Sequence, residues 1–131
     1  RPSRIHTLLE GLHSPAWQGY VLRYFEASFE PDDDPGRRQA ILERILATPQ
    51  HVVASLFENW RGADGEAALR GLEVPALYVA SSRSRTDQAR LRQACPRLLY
   101  AQVAGSGHFL TLEVPEQVNA MLERFLVLNG L

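Results

Sequence analysis

The spacing of apolar side chains divides the sequence into a helical first half and a second half in which strands and helices alternate. After Ser14, Asp34 and Thr48, apolar residues recur every three or four positions, which predicts three amphipathic helices. Each of these polar residues precedes a proline, and a capping residue followed by proline is typical of a helix start. The third helix is predicted to end at Gly62.

A short fourth helix is predicted from Asp64, as its cap, to about Arg70, with Gly71 as its end. The pattern then changes. Residues 76–80 and 98–103 are two short apolar runs separated by a helical segment, which predicts a βαβ unit with two parallel strands. The first run lacks polar alternation, so we expect its strand to be buried on both faces.

The last predicted helix begins at Pro115 and carries apolar residues at helical spacing, with Gly130 as a stop signal. The first strand, the helix, the second strand and this final helix together predict a mixed α/β fold. The histidine-containing loop at residues 105–108 follows the second strand. Ligands of open α/β sheets bind at the carboxyl ends of the strands, so this loop lies where a functional site is expected.

Composition and charge exclude several classes of protein. The chain has 45% hydrophobic and 22% charged residues, which is ordinary for a globular domain and argues against disorder. Its net charge of -1 gives no basic excess for nucleic acid. No apolar run reaches the roughly 20 residues that span a bilayer. With Cys95 as the single cysteine, an internal disulfide is impossible. We therefore expect a cytoplasmic protein that binds neither nucleic acid nor a membrane.

Two segments resemble parts of the α/β-hydrolase family. Residues 103–118, VAGSGHFLTLEVPEQV, are similar to the family's histidine loop and the start of its last helix. Residues 72–79, LEVPALYV, are similar to its penultimate strand. The resemblance implies a partial α/β-hydrolase fold, in which residues 1–71 form a helical cap-like region and residues 72–131 form the C-terminal βαβα segment of the core. It implies a serine hydrolase acting on an ester, a lactone or a similar small carbonyl substrate.

His108 occupies the position of the family's catalytic histidine, and Glu113 is expected to support its loop or to begin the last helix. The sequence contains no Gly-x-Ser-x-Gly nucleophile elbow. Ser106 is expected to form the turn, and Cys95 is expected to be a packing residue. The chain starts at Arg1 rather than at a methionine, and the resemblance places the elbow upstream of it.

The resemblance also implies a triad acid in a Gly-x-x-Asp turn after the penultimate strand. Here Ser81 stands at the glycine position and Ser84 at the acid position. Asp87, a little further along, is the candidate acid. The residues equally fit an interpretation in which Asp87 lies in the first turn of a helix capped by Thr86. An acid upstream of the chain is a third possibility.

Five aromatic residues are candidates for lining a substrate pocket, although stripes at helical spacing are more often core: Trp17, Tyr24, Phe57, Trp60 and Phe109. The spacing of the other histidines predicts no metal site, and no cofactor is expected. A missing N-terminal half or a second copy is the expected partner, because two parallel strands make a poor sheet. The isolated chain is expected to be inactive. The alternative is a non-catalytic remnant that acts as a binding or assembly module.

Overall fold

The computed structural model describes residues 3–131, and the chain forms two compact units that divide between Ala63 and Asp64. Within the described residues, the first unit consists of helices and connecting turns. Its elements are α1 (Arg4–Gly11), α2 (Trp17–Phe25), a 3-10 turn (Glu26–Ser28), α3 (Pro35–Ala47) and α4 (Gln50–Gly62).

The second unit contains the strands. Its elements are α5 (Gly65–Arg70), β1 (Leu77–Ala80), α6 (Gln88–Ala94), β2 (Leu99–Gln102), α7 (Leu110–Glu113) and α8 (Pro115–Leu128). The two strands pair in parallel, with Leu77 opposite Leu99 and Ala80 opposite Gln102, so the predicted βαβ unit is confirmed. The predicted domain boundary follows Gly71, whereas the compact unit already begins at Asp64 and includes α5. The chain is a mixed α/β protein.

Local capping explains where several helices begin. The Asp34 carboxylate accepts a hydrogen bond from the Arg37 N–H (2.6 Å), and Pro35 opens α3 as predicted. Asp64 accepts in the same way from the Ala67 N–H (2.9 Å) at the start of α5. In each case a side-chain oxygen pairs with a backbone donor that the helix itself leaves free.

The predicted starts at Ser14 and Thr48 were wrong, because both residues end the preceding structure instead. The Ser14 hydroxyl donates to the carbonyl of Gly11 (2.8 Å) and accepts from Ala16, so it closes the turn after α1. The Thr48 hydroxyl donates to the carbonyl of Arg44 (3.3 Å) at the end of α3. A short polar side chain can pair with donors or acceptors on either side of it.

Apolar side chains of α1, α2 and α4 form the core of the first unit, as the periodicity of α2 and α4 predicted. Its buried members are Leu8, Leu12, Val21, Val53, Ala54 and Phe57, and the half-buried residues around them include Trp17, Tyr20, Tyr24 and Phe25. Helix α1 itself was not predicted. The ring of Tyr20 lies directly against Gly11, where a Cβ would approach its Cγ to 2.1 Å, so only glycine permits this packing.

The sheet of the second unit is less covered than the sequence predicted. The expectation that the first strand is buried on both faces was wrong: in β1 only Ala80 is buried, and the rest is half-buried. In β2, Leu99 is 42% exposed. A strand in a two-stranded sheet has a neighbour on one edge only, so a hydrophobic run does not guarantee cover. Tyr78 and Tyr100, opposite each other in the register, stack their rings at 5.8 Å.

Candidate active site at the carboxyl ends of the strands

The loop that carries His108 leaves β2 at its carboxyl end and turns sharply at Gly105. Gly105 has a φ of 65°, in the left-handed region that a glycine adopts without a steric penalty. Gly107 is buried, and His108 lies in the following turn with an exposed side chain. The backbone therefore presents the imidazole outward while the residues before it pack inward.

The Glu113 carboxylate holds the part of the loop that surrounds His108. Its Oε2 accepts from the N–H of Gly107 (2.7 Å) and lies 3.2 Å from the Ser106 hydroxyl. Its Oε1 accepts from the N–H of Phe109 (3.0 Å). Both oxygens are thus engaged by the backbone on either side of His108. The expectation that Glu113 supports the loop is confirmed.

The beginning of the loop is held by a second side chain, that of Gln117. Its Oε1 accepts from the Ala104 N–H (2.8 Å), and its Nε2 donates to the Ala104 carbonyl (3.0 Å). This pairing reproduces the two hydrogen bonds that a neighbouring strand would make. The sequence analysis missed Gln117. Glu113 and Gln117 lie on different helices, and Ala104 precedes Gln117 by 13 positions, so no short-range pattern pointed to this pairing.

Ser82 ties the loop after β1 to the loop after β2. Its hydroxyl accepts from the Ser106 N–H (2.9 Å) and donates to the Val103 carbonyl (3.2 Å), while its N–H donates to the Ser106 carbonyl (3.1 Å). The Gln102 side chain adds a bond to the Ser81 carbonyl (3.1 Å). The two loops at this edge of the sheet therefore form one connected network.

The His108 side chain is free of this network. Its ring packs edge-to-face against Phe109, with centroids 5.2 Å apart. Within residues 3–131 the imidazole makes neither a hydrogen bond nor an ion pair. Because neither ring nitrogen is engaged, the unprotonated nitrogen can accept a proton from an incoming group, as a general base does.

Asp87 caps helix α6. Its Oδ1 accepts from the Arg90 N–H (3.1 Å), so Asp87 rather than Thr86 is the N-cap, and that part of the sequence interpretation was wrong. The Thr86 hydroxyl instead bonds the hydroxyls of Tyr78 (2.7 Å) and Ser84 (3.0 Å). A carboxylate satisfies the free N–H groups of a helix start better than a β-branched threonine. Ser84, which the resemblance alone aligns with an acid position, is a hydroxyl in a local turn.

The two residues that the sequence analysis weighed as nucleophiles, Ser106 and Cys95, are both buried. Ser106 is 0% exposed, and its hydroxyl lies 3.2 Å from both the Gly107 carbonyl and Glu113. Cys95 is buried at the C-terminal end of α6, where its N–H donates to the Leu91 carbonyl (2.9 Å). These placements match the turn-forming and packing roles that the sequence predicted. An inaccessible side chain cannot attack a substrate.

The predicted pocket residues fall into three kinds of environment. Phe57 is buried in the core of the first unit, and Trp17 and Tyr24 are half-buried against that core. Trp60 is 58% exposed, although its ring contacts Phe57 with centroids 6.3 Å apart. Phe109 lies beside His108 in the second unit. Of the five, Trp60 is the only one that is mostly exposed.

The other three histidines are exposed, and two of them lie beside carboxylates. His6 lies 3.3 Å from Glu10, and His13 lies 2.6 Å from Glu58. Within the described part of the chain, no three or more His, Cys, Asp or Glu side chains converge as metal ligands. Over the same residues, no helix has both the length and the apolar character needed to cross a bilayer.

No protein-family model, curated protein or solved structure matches this chain at a significant level. The geometry of the loop network therefore has to support any functional conclusion by itself.

Proposed function

We propose that this chain is the cap and C-terminal portion of a serine hydrolase of the α/β-hydrolase type, with His108 as its general base. The substrate would be an ester, a lactone or a similar small carbonyl compound. The observation that carries the proposal is the exposed His108 imidazole, at the carboxyl ends of two parallel strands, on a loop whose flanking amides bind Glu113.

In the proposed reaction a serine hydroxyl from residues outside this chain attacks the carbonyl carbon. His108 accepts the serine proton as the bond forms, and the carbonyl electrons move onto oxygen. When the tetrahedral intermediate collapses, the bond to the leaving group breaks and His108 returns the proton to it. Water then repeats the sequence on the acyl-serine and regenerates both residues. The available nitrogens of His108 suit this exchange.

A carboxylate would keep the imidazole in the tautomer that can accept the serine proton. Asp87 is the candidate on this chain, because it follows β1 and its cap bond engages only Oδ1. An acid supplied by residues outside the chain is the alternative. Phe109, which lies beside His108, is proposed to contact the substrate. The four aromatic candidates of the first unit, Trp17, Tyr24, Phe57 and Trp60, remain proposals from the sequence.

The test uses the complete polypeptide, expressed with whatever residues its gene encodes before Arg1. A fluorophosphonate probe and p-nitrophenyl butyrate report the nucleophile and turnover. We expect His108→Ala to lower kcat at least about 10⁴-fold, as loss of a triad member does. The matched control is His51→Ala, since His51 is also exposed. The chain 1–131 alone should hydrolyse the ester at the background rate. Equal turnover in wild type and His108→Ala would refute the proposal.

A second candidate function, a non-catalytic binding or assembly module, is favoured by apolar side chains of the second unit that are exposed. Leu99, Leu122, Leu126 and Leu128 are each between 42% and 55% exposed. A groove of ≈ 460 Å³ between the sheet and α8 includes Leu77, Leu99 and Phe125 in its lining. Light scattering of the chain at increasing concentration tests this function. A module that assembles with its own copies would show a molar mass that rises with concentration. A monomer at every concentration would count against self-assembly.

A further inference from the structure

We propose that Glu113 is the positioning residue of the candidate active site, acting through the backbone on either side of His108. The effect on the loop follows from the contacts of this chain. The effect on catalysis rests on the proposed function. Glu113 does not touch the imidazole in the described structure; it fixes the two peptide groups that determine where the imidazole lies.

Glu113 makes hydrogen bonds to the backbone on both sides of His108. One carboxylate spans the residue before His108 and the residue after it, with 2.7 Å from Oε2 to Gly107 N and 3.0 Å from Oε1 to Phe109 N. Hydrogen bonds to an ionised acceptor are roughly twice as strong as neutral ones. Fixing both neighbouring amides removes most of the freedom of the Cα–Cβ direction of His108.

Glu113 is the last residue of helix α7. Its own N–H donates to the Phe109 carbonyl (3.0 Å), while its carboxylate accepts from the Phe109 N–H. The bonds between the two residues are therefore reciprocal. Helix α7 leads through Val114 into α8, where Gln117 holds Ala104. The carboxylate is thus anchored on regular structure on the far side of the loop, rather than being carried by the loop alone.

Ser82 and Gln117 hold other parts of the loop. Ser82 binds the backbone of Ser106 and Val103, and Gln117 binds that of Ala104. Neither side chain is bonded to the N–H of Gly107 or Phe109. Without the carboxylate, these two N–H groups would lose their hydrogen bonds to Glu113 and the Ser106 hydroxyl would lose its contact with Oε2, while the backbone bonds of Ser82 and Gln117 would remain. The amides beside His108 therefore depend on Glu113 in a way that the backbone of Ala104 and Ser106 does not.

The experiment on the loop measures amide hydrogen exchange by NMR in the chain 1–131 and its variants. In Glu113→Ala we expect exchange at Gly107 and Phe109 to rise at least about tenfold, since each loses a hydrogen bond worth about that factor. Exchange at Ala104 and Ser106 should change less than twofold. Glu113→Gln, which keeps one acceptor oxygen, should be intermediate. The control is Glu116→Gln, an exposed carboxylate in the first turn of α8.

The result that overturns the positioning role is unchanged exchange at Gly107 and Phe109 in both Glu113 variants. A uniform rise at all amides of the second unit in both variants would also overturn it, because Glu113 would then be a general stabilising residue. If Glu113→Ala does not fold, the Gln variant alone decides between these outcomes, since it preserves the size of the side chain.

Kinetics of the complete polypeptide then separate this inference from the proposed function. Misplacing a catalytic group by about 1 Å can cost about 10²-fold, so Glu113→Ala should lower kcat by that order and leave KM within twofold. Partial recovery in Glu113→Gln is expected. If wild type has no esterase activity while the loop amides respond, the hydrolase proposal fails and the loop role stands. If Glu113→Ala exchanges faster at Gly107 and Phe109 but keeps full activity, Glu113 does not position His108 for catalysis.

Discussion

The two compact units hold their side chains in place by different physical means. In the first unit, large aromatic and aliphatic groups from three helices bury one another, and Tyr24, Phe25 and Phe57 meet with ring centroids 5.3–6.2 Å apart. In the second unit, the backbone of the loop around His108 is held by hydrogen bonds from polar side chains. Burial is non-directional and tolerates small shifts, whereas hydrogen bonds fix a peptide group to within tenths of an ångström.

This difference suits the roles proposed for the two regions. A helical unit can present an apolar surface without placing any single atom accurately. A proton-transfer group must lie within hydrogen-bond distance of its partner. Directional bonds from Glu113, Gln117 and Ser82 meet that need. The comparison predicts that substitutions in the first unit act mainly on stability, and that those in the loop network act mainly on local geometry.

The largest effect is expected from Phe57→Ala. Phe57 is 7% exposed and belongs to the buried cluster, so its removal should lower the free energy of unfolding by about 3–5 kcal/mol. Both tryptophans of the chain, Trp17 and Trp60, lie in this unit. Their fluorescence during urea unfolding therefore reports on it selectively. Trp60→Phe is the control for a mostly exposed ring and should cost less than about 1 kcal/mol. Equal losses would mean that the unit has no dominant core.

A smaller effect is expected from Gly11→Ala, because the added Cβ would collide with the Tyr20 ring. Displacing the ring should cost about 1–3 kcal/mol. Gly19 is the matched control in the same unit, since a Cβ there meets nothing within 4 Å. Gly19→Ala lies within α2 and should stabilise by up to about 1 kcal/mol. Thermal unfolding followed by circular dichroism measures the Tm of each variant. Gly11→Ala should lower the Tm and Gly19→Ala should raise it; a change in the same direction for both would contradict this account.

At Asp87, two substitutions can separate a role in helix capping from a role in catalysis. Asp87→Ala should cost about 1 kcal/mol of stability through loss of the α6 cap. Asp87→Ser keeps an N-cap hydroxyl and should restore most of that stability. If Asp87 is also the triad acid, the serine variant of the complete polypeptide should still lose kcat by about 10⁴-fold. Normal turnover in a stable serine variant would assign the acid to another residue.

The smallest effect on stability is expected on the exposed face of α8. Leu122 and Leu126 are 43% and 42% exposed, so replacing both with Gln should change the free energy of unfolding by less than about 1 kcal/mol. The same replacement should abolish any self-association seen by light scattering. A large loss of stability would show that Leu122 and Leu126 are covered within the monomer, and would contradict the exposure of their side chains.

Much of the local structure could be predicted because its causes lie within a few residues. Asp34 and Asp64 cap helices with donors three positions away, and the two apolar runs identify strands. The loop network could be predicted only in part. Glu113 was expected to support the loop, but the sequence did not show which two amides it binds. The hydrogen bonds of Gln117 to Ala104 and of Ser82 to Ser106 were not predicted either, because sequence spacing does not show that these residues lie close together.

From the sequence alone, most of the helices, the parallel βαβ unit and the place of His108 in the loop after the second strand could be predicted, but not α1 or α7. Tertiary structure decided which aromatic rings enter the core, how much of each strand is covered, and which side chains fix the loop. The physical reason is the distance along the chain over which each effect acts. Periodicity and capping act within one turn of a helix or between neighbouring residues, whereas burial and the bonds of Ser82 to Ser106 depend on chain segments brought together only by folding.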